Sequence, residues 1–312
     1  MYKFSLGNFI SESNQLLENV EIAYHIFGEL APEKKVIWVC HALTANSDAQ
    51  DWWPNFIGEN LTLDTEKYTI VCANILGSCY GTSFQKQEKL PLITIRDMVK
   101  LHQELAKFLQ ISEIELLLGG SLGGMQCLEW AIAEPDFIKK LFVIATNAKH
   151  SAWGIAFNEA QRMALELGEN GIDAARAIAM LSYRNYATFE ETQTDEEEKL
   201  EQYRAASYQR HQGEKLRKRF SKESYFMLSK AMDSHHLGRG RNSVENALSQ
   251  ITAKTLVIGI DSDILFPVSE QKFLAEHIKN AKLEVISSLY GHDGFLIETE
   301  KISTLLKKHF KL

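Results

Sequence analysis

The residues with the clearest chemical potential form a glycine-rich turn around one serine. Gly119, Ser121 and Gly123 match the pattern G-x-S-x-G, in which a serine stands on a tight turn between a strand and a helix. The apolar run at 114–118 favours a buried strand before the turn, and apolar residues recur at helical spacing after it. Such a helix directs its N-terminal N–H groups at the serine, where an oxyanion would form. An ordinary glycine-rich connection does not require serine at its apex, so we predict that Ser121 is a nucleophile.

A serine hydroxyl attacks efficiently only when a neighbouring base takes its proton. Among the ten histidines, His292 follows the last predicted strand, in a loop with glycine on both sides of a His-Asp pair. His235 and His236 are the rivals, but a capping or surface role explains them more simply, and a metal site there lacks a third ligand at suitable spacing. His41 directly follows a strand and is interpreted as structural and loop-shaping. We therefore predict that His292 is the base.

Two aspartates follow the predicted strand at 255–260, and either is placed to orient the histidine. Asp263 is preferred because it lies further into the loop and is followed by apolar residues that would keep it dry. A buried carboxylate fixes the tautomer of the histidine and stabilises the imidazolium. Asp261 is expected to cap the turn instead. The resulting chain order Ser121, Asp263, His292 is that of the α/β-hydrolases.

An oxyanion that forms at the serine needs two backbone N–H donors. The residue after the nucleophile, Leu122, is expected to supply one of them. The second donor is expected from the loop that follows the predicted strand at 36–40, either from Leu43 or from Thr44.

The elements that must position these residues alternate between strands and helices. Tyr2–Ile10 and 20–27 are predicted to pair antiparallel at one edge of a sheet. Further strands are predicted at 36–40, 68–75, 114–118, 141–145, 255–260 and 283–287, and helices at 94–109, after Ser121, at 269–279 and at 302–310. This alternation predicts an α/β fold, with a mostly parallel central sheet that helices cover on both faces.

The segment 151–248 breaks the alternation, because no strand-like run interrupts it. Helical patterns there cover 156–167, 173–184, 196–220 and 223–233. The segment falls between the sixth and seventh predicted strands and would lie over the carboxyl ends of the strands, where open α/β sheets bind ligands. We therefore predict one α/β-hydrolase catalytic domain, formed by 1–150 and 249–312, with 151–248 as a helical lid.

Two charged runs lie in the predicted lid. The acidic run at 190–201 is interpreted as a solvated loop or helix face. The basic cluster around Arg217 is also interpreted as a solvated face, with an anion site as the alternative.

Composition limits the classes of function. The chain has 312 residues, 45% hydrophobic and 24% charged, and its net charge of −7 gives no reason to expect binding to nucleic acid or to an anionic membrane. The N-terminus lacks the apolar core of a signal peptide, and no apolar run approaches the roughly 20 residues of a membrane span. Four cysteines without C-x-x-C spacing are expected to be reduced thiols, which predicts a cytoplasmic protein. No metal is expected, and no P-loop or H-E-x-x-H motif is present.

Several stretches together resemble one family, the homoserine O-acetyltransferases of the α/β-hydrolase fold. They run in order over nearly the whole chain, and GGSLGGMQ with TIRDMV is the most specific pair. The stretches are CHALT (40–44), NILGSCYGTS (74–83), TIRDMV (94–99), GGSLGGMQCLEWA (119–131), ARAIAMLSYR (175–184), YQRHQGEKLRKRF (208–220), SYFMLSKAMD (224–233), GIDSDILFP (259–267) and YGHDGFLIE (290–298).

The resemblance implies a two-step transfer within methionine biosynthesis. Ser121 would take an acyl group from acetyl-CoA, a co-substrate rather than a bound cofactor, and the hydroxyl of L-homoserine would then take it from the enzyme. Asp293 matches an aspartate that meets the substrate amino group, with a turn-stabilising role as the alternative. Arg184 resembles the arginine placed near the substrate carboxylate, which suits its fork of N–H donors. The family commonly dimerises, and apolar lid faces suit a homodimer.

The sequence departs from the family pattern in three places. The segment between Thr82 and Leu92 is short and lysine-rich, the loop at 41–47 lacks the usual glycine after its threonine, and the early lid at 164–171 is shortened. Such changes would widen the acyl-CoA entrance or alter the acceptor. An esterase or thioesterase, serine as the acceptor and succinyl-CoA as the donor therefore stay open as alternatives. A non-catalytic binding protein would be expected to lack part of the triad.

Overall fold

A central sheet of eight strands organises the part of the chain that this computed structural model describes, residues 1–168 and 170–311. With two short strands that lie outside this sheet, β4 and β5, the strands of the described residues are Tyr2–Ile10 (β1), Leu16–Phe27 (β2), Lys35–Cys40 (β3), Ile57–Gly58 (β4), Leu63–Asp64 (β5), Tyr68–Ala73 (β6), Leu116–Gly120 (β7), Lys140–Ile144 (β8), Lys254–Ile260 (β9) and Ala281–Ile286 (β10). The order across the sheet is β1-β2-β6-β3-β7-β8-β9-β10, and β4 pairs with β5 in a separate two-stranded sheet.

The direction of the strands follows the sequence pattern. β1 pairs antiparallel with β2, and β2 pairs antiparallel with β6, whereas the pairs from β6 through β10 are parallel. The central strands β3 and β7 are continuous apolar runs because helices cover both of their faces. The predicted antiparallel edge pair and the mostly parallel remainder of the sheet are confirmed.

Helices surround the sheet. They are Ala49–Trp52 (α1), Ile95–Phe108 (α2), Leu122–Ala133 (α3), Ala152–Leu165 (α4), Gly171–Tyr183 (α5), Tyr186–Gln193 (α6), Arg204–Arg217 (α7), Lys222–Asp233 (α8), Val244–Ser249 (α9), Val268–His277 (α10), Gly294–Ile297 (α11) and Thr299–Phe310 (α12). On one face of the sheet, α2, α3 and α10 bury residues such as Leu101, Leu128 and Leu274 in one core. On the other face, Trp53 next to α1 and Ile302 of α12 belong to a second core.

The helices α4 to α9 lie in the chain between β8 and β9, the sixth and seventh strands of the large sheet. α4 packs against α5 and α8, and α5 packs against α7 and against the short 3-10 turn Gly291–Asp293. α9 packs against α3 and α10, so this last helix lies on the layer beside the sheet.

The helix predicted from residue 196 begins only at Arg204, which corrects that boundary. Within a helix, Glu197 and Glu198 would lie four and three residues from Glu201 and would repel it. Asp195 gives the chain an alternative, because its carboxylate accepts the backbone N–H of Arg204 at 3.1 Å and so satisfies the first turn of α7.

The four cysteines are free thiols, of which Cys79 is exposed and the other three are buried. Among the described residues, no helix combines the length and the apolar character that crossing a membrane requires.

Candidate active site

Ser121 stands on a strained turn between β7 and α3. Its backbone has φ +55° and ψ −128°, a conformation that non-glycine residues seldom adopt and that concentrates at functional sites. The flanking glycines permit the close packing of the turn. A Cβ on Gly119 would lie 2.5 Å from the backbone of Gly123, and a Cβ on Gly123 would lie 2.1 Å from the carbonyl oxygen of Cys40. Any larger residue at either place would separate the strand from the helix.

The structure brings the three predicted residues Ser121, His292 and Asp263 into one hydrogen-bonded line. His292 Nε2 lies 2.9 Å from Ser121 Oγ, and His292 Nδ1 lies 2.7 Å from Asp263 Oδ2. Since the carboxylate accepts, Nδ1 carries the proton, and Nε2 is free to accept the hydroxyl proton of the serine. Ser121 occupies the N-cap of α3 without capping it, so its oxygen remains available.

The carboxylate of Asp263 is held rigidly. Its Oδ1 accepts the backbone N–H groups of Leu265 and Phe266 at 2.8 and 2.9 Å, and its side chain is fully buried. Asp261 is exposed and accepts the backbone N–H of Ser288 at 3.2 Å. The geometry therefore brings Asp263, and not Asp261, to His292.

The imidazole of His292 lies in an aromatic setting on the turn Gly291–Asp293. The ring centroids of Phe266, Phe295 and Tyr183 lie 5.1, 5.3 and 5.6 Å from its own. Tyr183 ends the lid helix α5, so the lid packs directly against the base. This packing restricts the ring to the position between Ser121 and the carboxylate.

His41 and His235, which were also considered from the sequence, make hydrogen bonds that give them structural roles. His41 donates from Nδ1 to the carbonyl of Ala42 and accepts the N–H of Ile75 at Nε2, and burial lowers its pKa to about 4. It remains neutral and ties the loop after β3 to the loop after β6. His235 contacts the carbonyl of Asn147, and burial lowers its pKa to about 3. Within residues 1–168 and 170–311, no group of three or more His, Cys, Asp or Glu side chains is arranged to hold a metal ion.

Backbone donors for an oxyanion lie beside Ser121. Leu122 is the first residue of α3, so its N–H has no partner within the helix. The backbone N–H groups of Leu43 and Thr44 have no acceptor in the described part of the chain, whereas Ala45 N–H closes a turn on the carbonyl of Ala42. Leu43 and Thr44 both line the cavity that contains Ser121.

This cavity has a volume of about 540 Å³ and contains Ser121 and His292 in its wall. Sequence reasoning missed most of its charged residues. These residues are the bases Arg176, Lys215 and Arg219 and the acids Asp51 and Asp293. The basic cluster around Arg217, interpreted from the sequence as a solvated face, therefore also contributes two cations to the cavity.

Arg184, which the resemblance places near the substrate carboxylate, does not line this cavity. Its Nη2 lies 3.1 Å from Oδ2 of Asp293, its guanidinium lies 5.3 Å from the ring centroid of Tyr290, and it lines a separate cavity of about 160 Å³. Asp293 does line the nucleophile cavity, so Arg184 holds the Asp293 carboxylate in place from outside that cavity. Arg176, within the helix α5 that ends just before Arg184, lines the cavity instead, with its guanidinium 5.3 Å from the ring centroid of Tyr183.

A second depression, of about 550 Å³, opens at the amino ends of β3 and β7. Its wall includes the charged residues Lys35, Glu113 and Glu115. Lys35 and Glu115 pair with each other, and the position is opposite to the carboxyl ends of the strands, where such sheets bind ligands. The nucleophile cavity is therefore the better candidate site.

Comparison with known proteins places this geometry in context. A family model described as alpha/beta hydrolase fold matches residues 35–299. The homoserine O-acetyltransferase of Cyclobacterium marinum is 42% identical to this chain, over 96% of the chain and 92% of the relative. The homoserine O-acetyltransferase of Chlorobium chlorochromatii is 39% identical, over 96% of the chain and 91% of the relative.

Solved structures agree in fold. Homoserine O-acetyltransferase from Staphylococcus aureus superimposes with a TM-score of 0.87 at 30% identity, covering 100% of this chain and 95% of that one. Esterase E22 superimposes with a TM-score of 0.89 at 18% identity, covering 99% of both chains, so a protein named as an esterase has the same fold.

Proposed function

Because the chain belongs to the homoserine O-acetyltransferase family of α/β-hydrolase enzymes, we propose that it transfers an acetyl group from acetyl-CoA to the hydroxyl of L-homoserine. O-acetylhomoserine would then serve methionine biosynthesis. The observation that carries the proposal is the hydrogen bond between Ser121 Oγ and His292 Nε2 in a cavity that also contains Arg176 and Asp293. A nucleophile and two opposite charges in one cavity suit acyl transfer to an amino acid.

In the first half-reaction, His292 Nε2 takes the hydroxyl proton of Ser121 while Oγ attacks the thioester carbonyl carbon. The N–H groups of Leu122 and of Leu43 or Thr44 stabilise the oxyanion of the tetrahedral intermediate. The C–S bond breaks, His292 returns the proton to the departing thiolate, and acetyl-Ser121 remains. Asp263 stabilises the imidazolium during these steps, because its carboxylate accepts the Nδ1 proton at 2.7 Å.

In the second half-reaction, His292 takes the proton of the homoserine hydroxyl, and the resulting oxygen attacks the acetyl carbon. The ester bond to Ser121 breaks, and His292 returns the proton to Oγ. Because the thiol of coenzyme A leaves before homoserine attacks acetyl-Ser121, the reaction is ping-pong.

The cavity offers a partner for each charge of the amino acid. Arg176 presents a fork of N–H donors that suits the carboxylate, and its guanidinium has no carboxylate partner in the described part of the chain. Asp293, held by Arg184, suits the ammonium group. Homoserine held at both ends excludes water from the acyl-enzyme, which favours transfer over hydrolysis.

The test is mass spectrometry of the intact protein after mixing with acetyl-CoA, with and without L-homoserine. The proposal expects one acetyl adduct on Ser121 that persists without homoserine and disappears when homoserine is added, with O-acetylhomoserine as the product. Ser121→Ala is the control and should give no adduct.

Other outcomes would replace the proposal. An adduct that water removes equally fast without homoserine would establish an esterase or thioesterase. An adduct from succinyl-CoA alone would change the donor, and discharge by serine but not by homoserine would change the acceptor. Absence of any adduct from every acyl donor would contradict the nucleophilic role of Ser121.

We also propose a homodimer formed through the lid. The lid exposes large apolar side chains, which are Trp153, Met163, Leu167, Leu181 and Tyr186. Such side chains, when they cluster on a surface, mark an interface. Light scattering should give the mass of two chains, and Met163→Asp should reduce it; a wild-type mass of one chain would contradict the dimer.

A further inference from the structure

Two cations at the lid side of the nucleophile cavity have no role in the chemistry described above. We propose that Lys215 and Arg219 form a subsite for the phosphate groups of the acyl-CoA donor. This inference rests on the proposed function, and it adds the recognition of the nucleotide part of the donor. Lys215 lies in the last turn of α7 and Arg219 directly beyond its end, and both line the cavity with Ser121.

The charge of the cavity differs from that of the protein. The chain carries 41 acidic and 34 basic residues, yet this cavity wall has three bases and two acids. One of the acids, Asp293, already pairs with Arg184 outside the cavity. An excess of positive charge in a cleft of an acidic protein attracts an anionic ligand and increases its local concentration.

Lys215 differs from the basic residues next to it, which are paired with carboxylates. Arg217 pairs with Asp173, and Lys218 pairs with Glu214, so the rest of the basic cluster is neutralised on the surface of the lid. Lys215 has no carboxylate partner in the described part of the chain. Its ammonium group therefore remains available to a ligand that enters the cavity.

Arg219 is held in place by groups other than carboxylates. Its Nη1 donates to the carbonyl of Thr44 at 2.6 Å and to the hydroxyl of Tyr80 at 2.8 Å. These bonds fix the plane of the guanidinium, while Nε and Nη2 have no acceptor among the described residues. An arginine oriented in this way loses little side-chain entropy when its free N–H groups meet a phosphate.

The three bases differ in their exposure to solvent. This difference indicates which of them suits the acceptor and which suit the donor. Arg176 is partly buried, beside Tyr183, which suits the small carboxylate of the acceptor. Lys215 and Arg219 are exposed, which suits phosphate groups that remain partly in water. A donor that enters between them places its phosphates at the rim and its thioester toward Ser121.

The experiment compares two donors that carry the same thioester. Acetyl-CoA has phosphate groups, and S-acetylpantetheine has none. The rate of acetyl-Ser121 formation is measured by rapid quenching and mass spectrometry for wild type, Lys215→Ala, Lys215→Glu and Lys215→Arg. Lys218→Ala is the matched control, because Lys218 lies on the same basic cluster, pairs with Glu214 and does not line the cavity.

We expect Lys215→Ala to lower the preference for acetyl-CoA over S-acetylpantetheine by about tenfold, which corresponds to one charge-assisted contact. Lys215→Glu should lower it further, Lys215→Arg should restore it, and Lys218→Ala should leave it unchanged. Higher salt should weaken the preference in wild type more than in Lys215→Ala, since salt screens exposed charges.

A wild-type preference in both Lys215→Ala and Lys215→Glu would overturn the inference and leave the proposed function intact. Equal losses with both donors would also overturn it, because the lysine would then act without reference to phosphate. If p-nitrophenyl acetate acetylates wild-type Ser121 but neither thioester does, the proposed function fails and the inference fails with it.

Discussion

At the residue scale, the orientation of His292 depends on how Asp263 is held. Two backbone N–H groups bind Oδ1 of this aspartate, which leaves only Oδ2 to face the imidazole. The arrangement fixes the Nδ1–H tautomer, in which Nε2 is able to accept a proton. The same loop therefore selects both the position and the protonation pattern of the base.

Asp263→Asn should lower the rate of acetyl-Ser121 formation by about 10³–10⁴-fold. The amide oxygen would keep the two backbone bonds, so the amide NH₂ would face His292 and force the proton onto Nε2. Thermal unfolding should change little, because the fold contacts of Oδ1 persist. Asp261→Asn is the matched control, since that carboxylate is exposed and caps Ser288 N–H. Equal activity of the two variants would contradict the assignment of Asp263.

Arg176 of α5 and Arg184, the residue directly after this helix, give a second prediction at this scale. Arg176→Met should raise the KM for homoserine by about tenfold, because a charge-assisted fork to the carboxylate is lost. Arg184→Met should raise it less, because Arg184 acts only through Asp293. The first half-reaction contains no homoserine, so acetyl-Ser121 formation should change far less in both variants. A larger effect of Arg184→Met than of Arg176→Met on this KM would reverse the roles inferred from the cavity.

At the scale of elements, the close contact of β3, β7 and α3 positions the nucleophile. The carbonyl of Cys40 at the end of β3 lies where a side chain of Gly123 would begin. Backbone atoms cannot rotate away as a side chain can, so the contact fixes how near the helix lies to the sheet.

Gly123→Ala should therefore destabilise the protein despite the higher helix propensity of alanine, which is worth only about 1 kcal/mol. The added Cβ would lie 2.1 Å from the Cys40 oxygen and would displace α3 together with the Leu122 donor. We expect a lower melting temperature and slower acylation of Ser121. Gly259→Ala in β9 is the control, because its nearest atom, Oε1 of Gln271, is 3.3 Å away, so an alanine there requires a shift of only a few tenths of an ångström. An unchanged melting temperature for Gly123→Ala would contradict this argument.

The elements that could be predicted from the sequence are those determined by local pattern. The apolar runs of β3 and β7 and the glycines around Ser121 specify a buried strand and a tight turn without reference to the rest of the chain. The start of α7 could not be predicted, because the group that caps Arg204 is Asp195, nine residues earlier in a loop.

The side of α5 that faces the nucleophile also depends on tertiary packing. Arg176 and Arg184 lie eight residues apart on one helical segment, and sequence spacing alone does not decide which of them meets the cavity. Packing of α5 against α7 and against the His292 turn makes that decision. For the same reason, the sequence alone does not show that Lys215 and Arg219 line the cavity while the basic residues next to them face solvent.

At the scale of the whole molecule, several histidines lie buried in elements far apart in the chain. Burial lowers the pKa of His41, His102 and His150 to about 4 and that of His235 to about 3. Nδ1 of His102 is buried without a partner in the described structure, so protonation there would bury an unpaired N–H. These histidines are therefore neutral in the folded protein at neutral pH, and they bind protons at a higher pH in the unfolded chain than in the folded one.

This pattern predicts that the free energy of unfolding falls as the pH falls from about 6.5 to about 4, because the unfolded chain then binds protons that the folded chain excludes. Each buried histidine contributes up to about 1.4 kcal/mol per pH unit in that window. Burial raises the pKa of Asp97 and Glu270, so these two carboxyls bind protons more readily in the folded chain than in the unfolded one. They therefore increase the free energy of unfolding as the pH falls, near the acid end of the window.

Urea unfolding at several pH values between 7.5 and 5 measures the slope directly. His102→Gln should reduce this slope by the equivalent of about one proton taken up on unfolding. The amide still donates a hydrogen bond to Gln126 but does not titrate. His211→Gln, which removes an exposed imidazole from α7, is the matched control. A free energy of unfolding that stays constant or rises toward pH 5 would mean that the buried histidines gain protons within the fold. In that case the neutral state assigned to these histidines would be wrong.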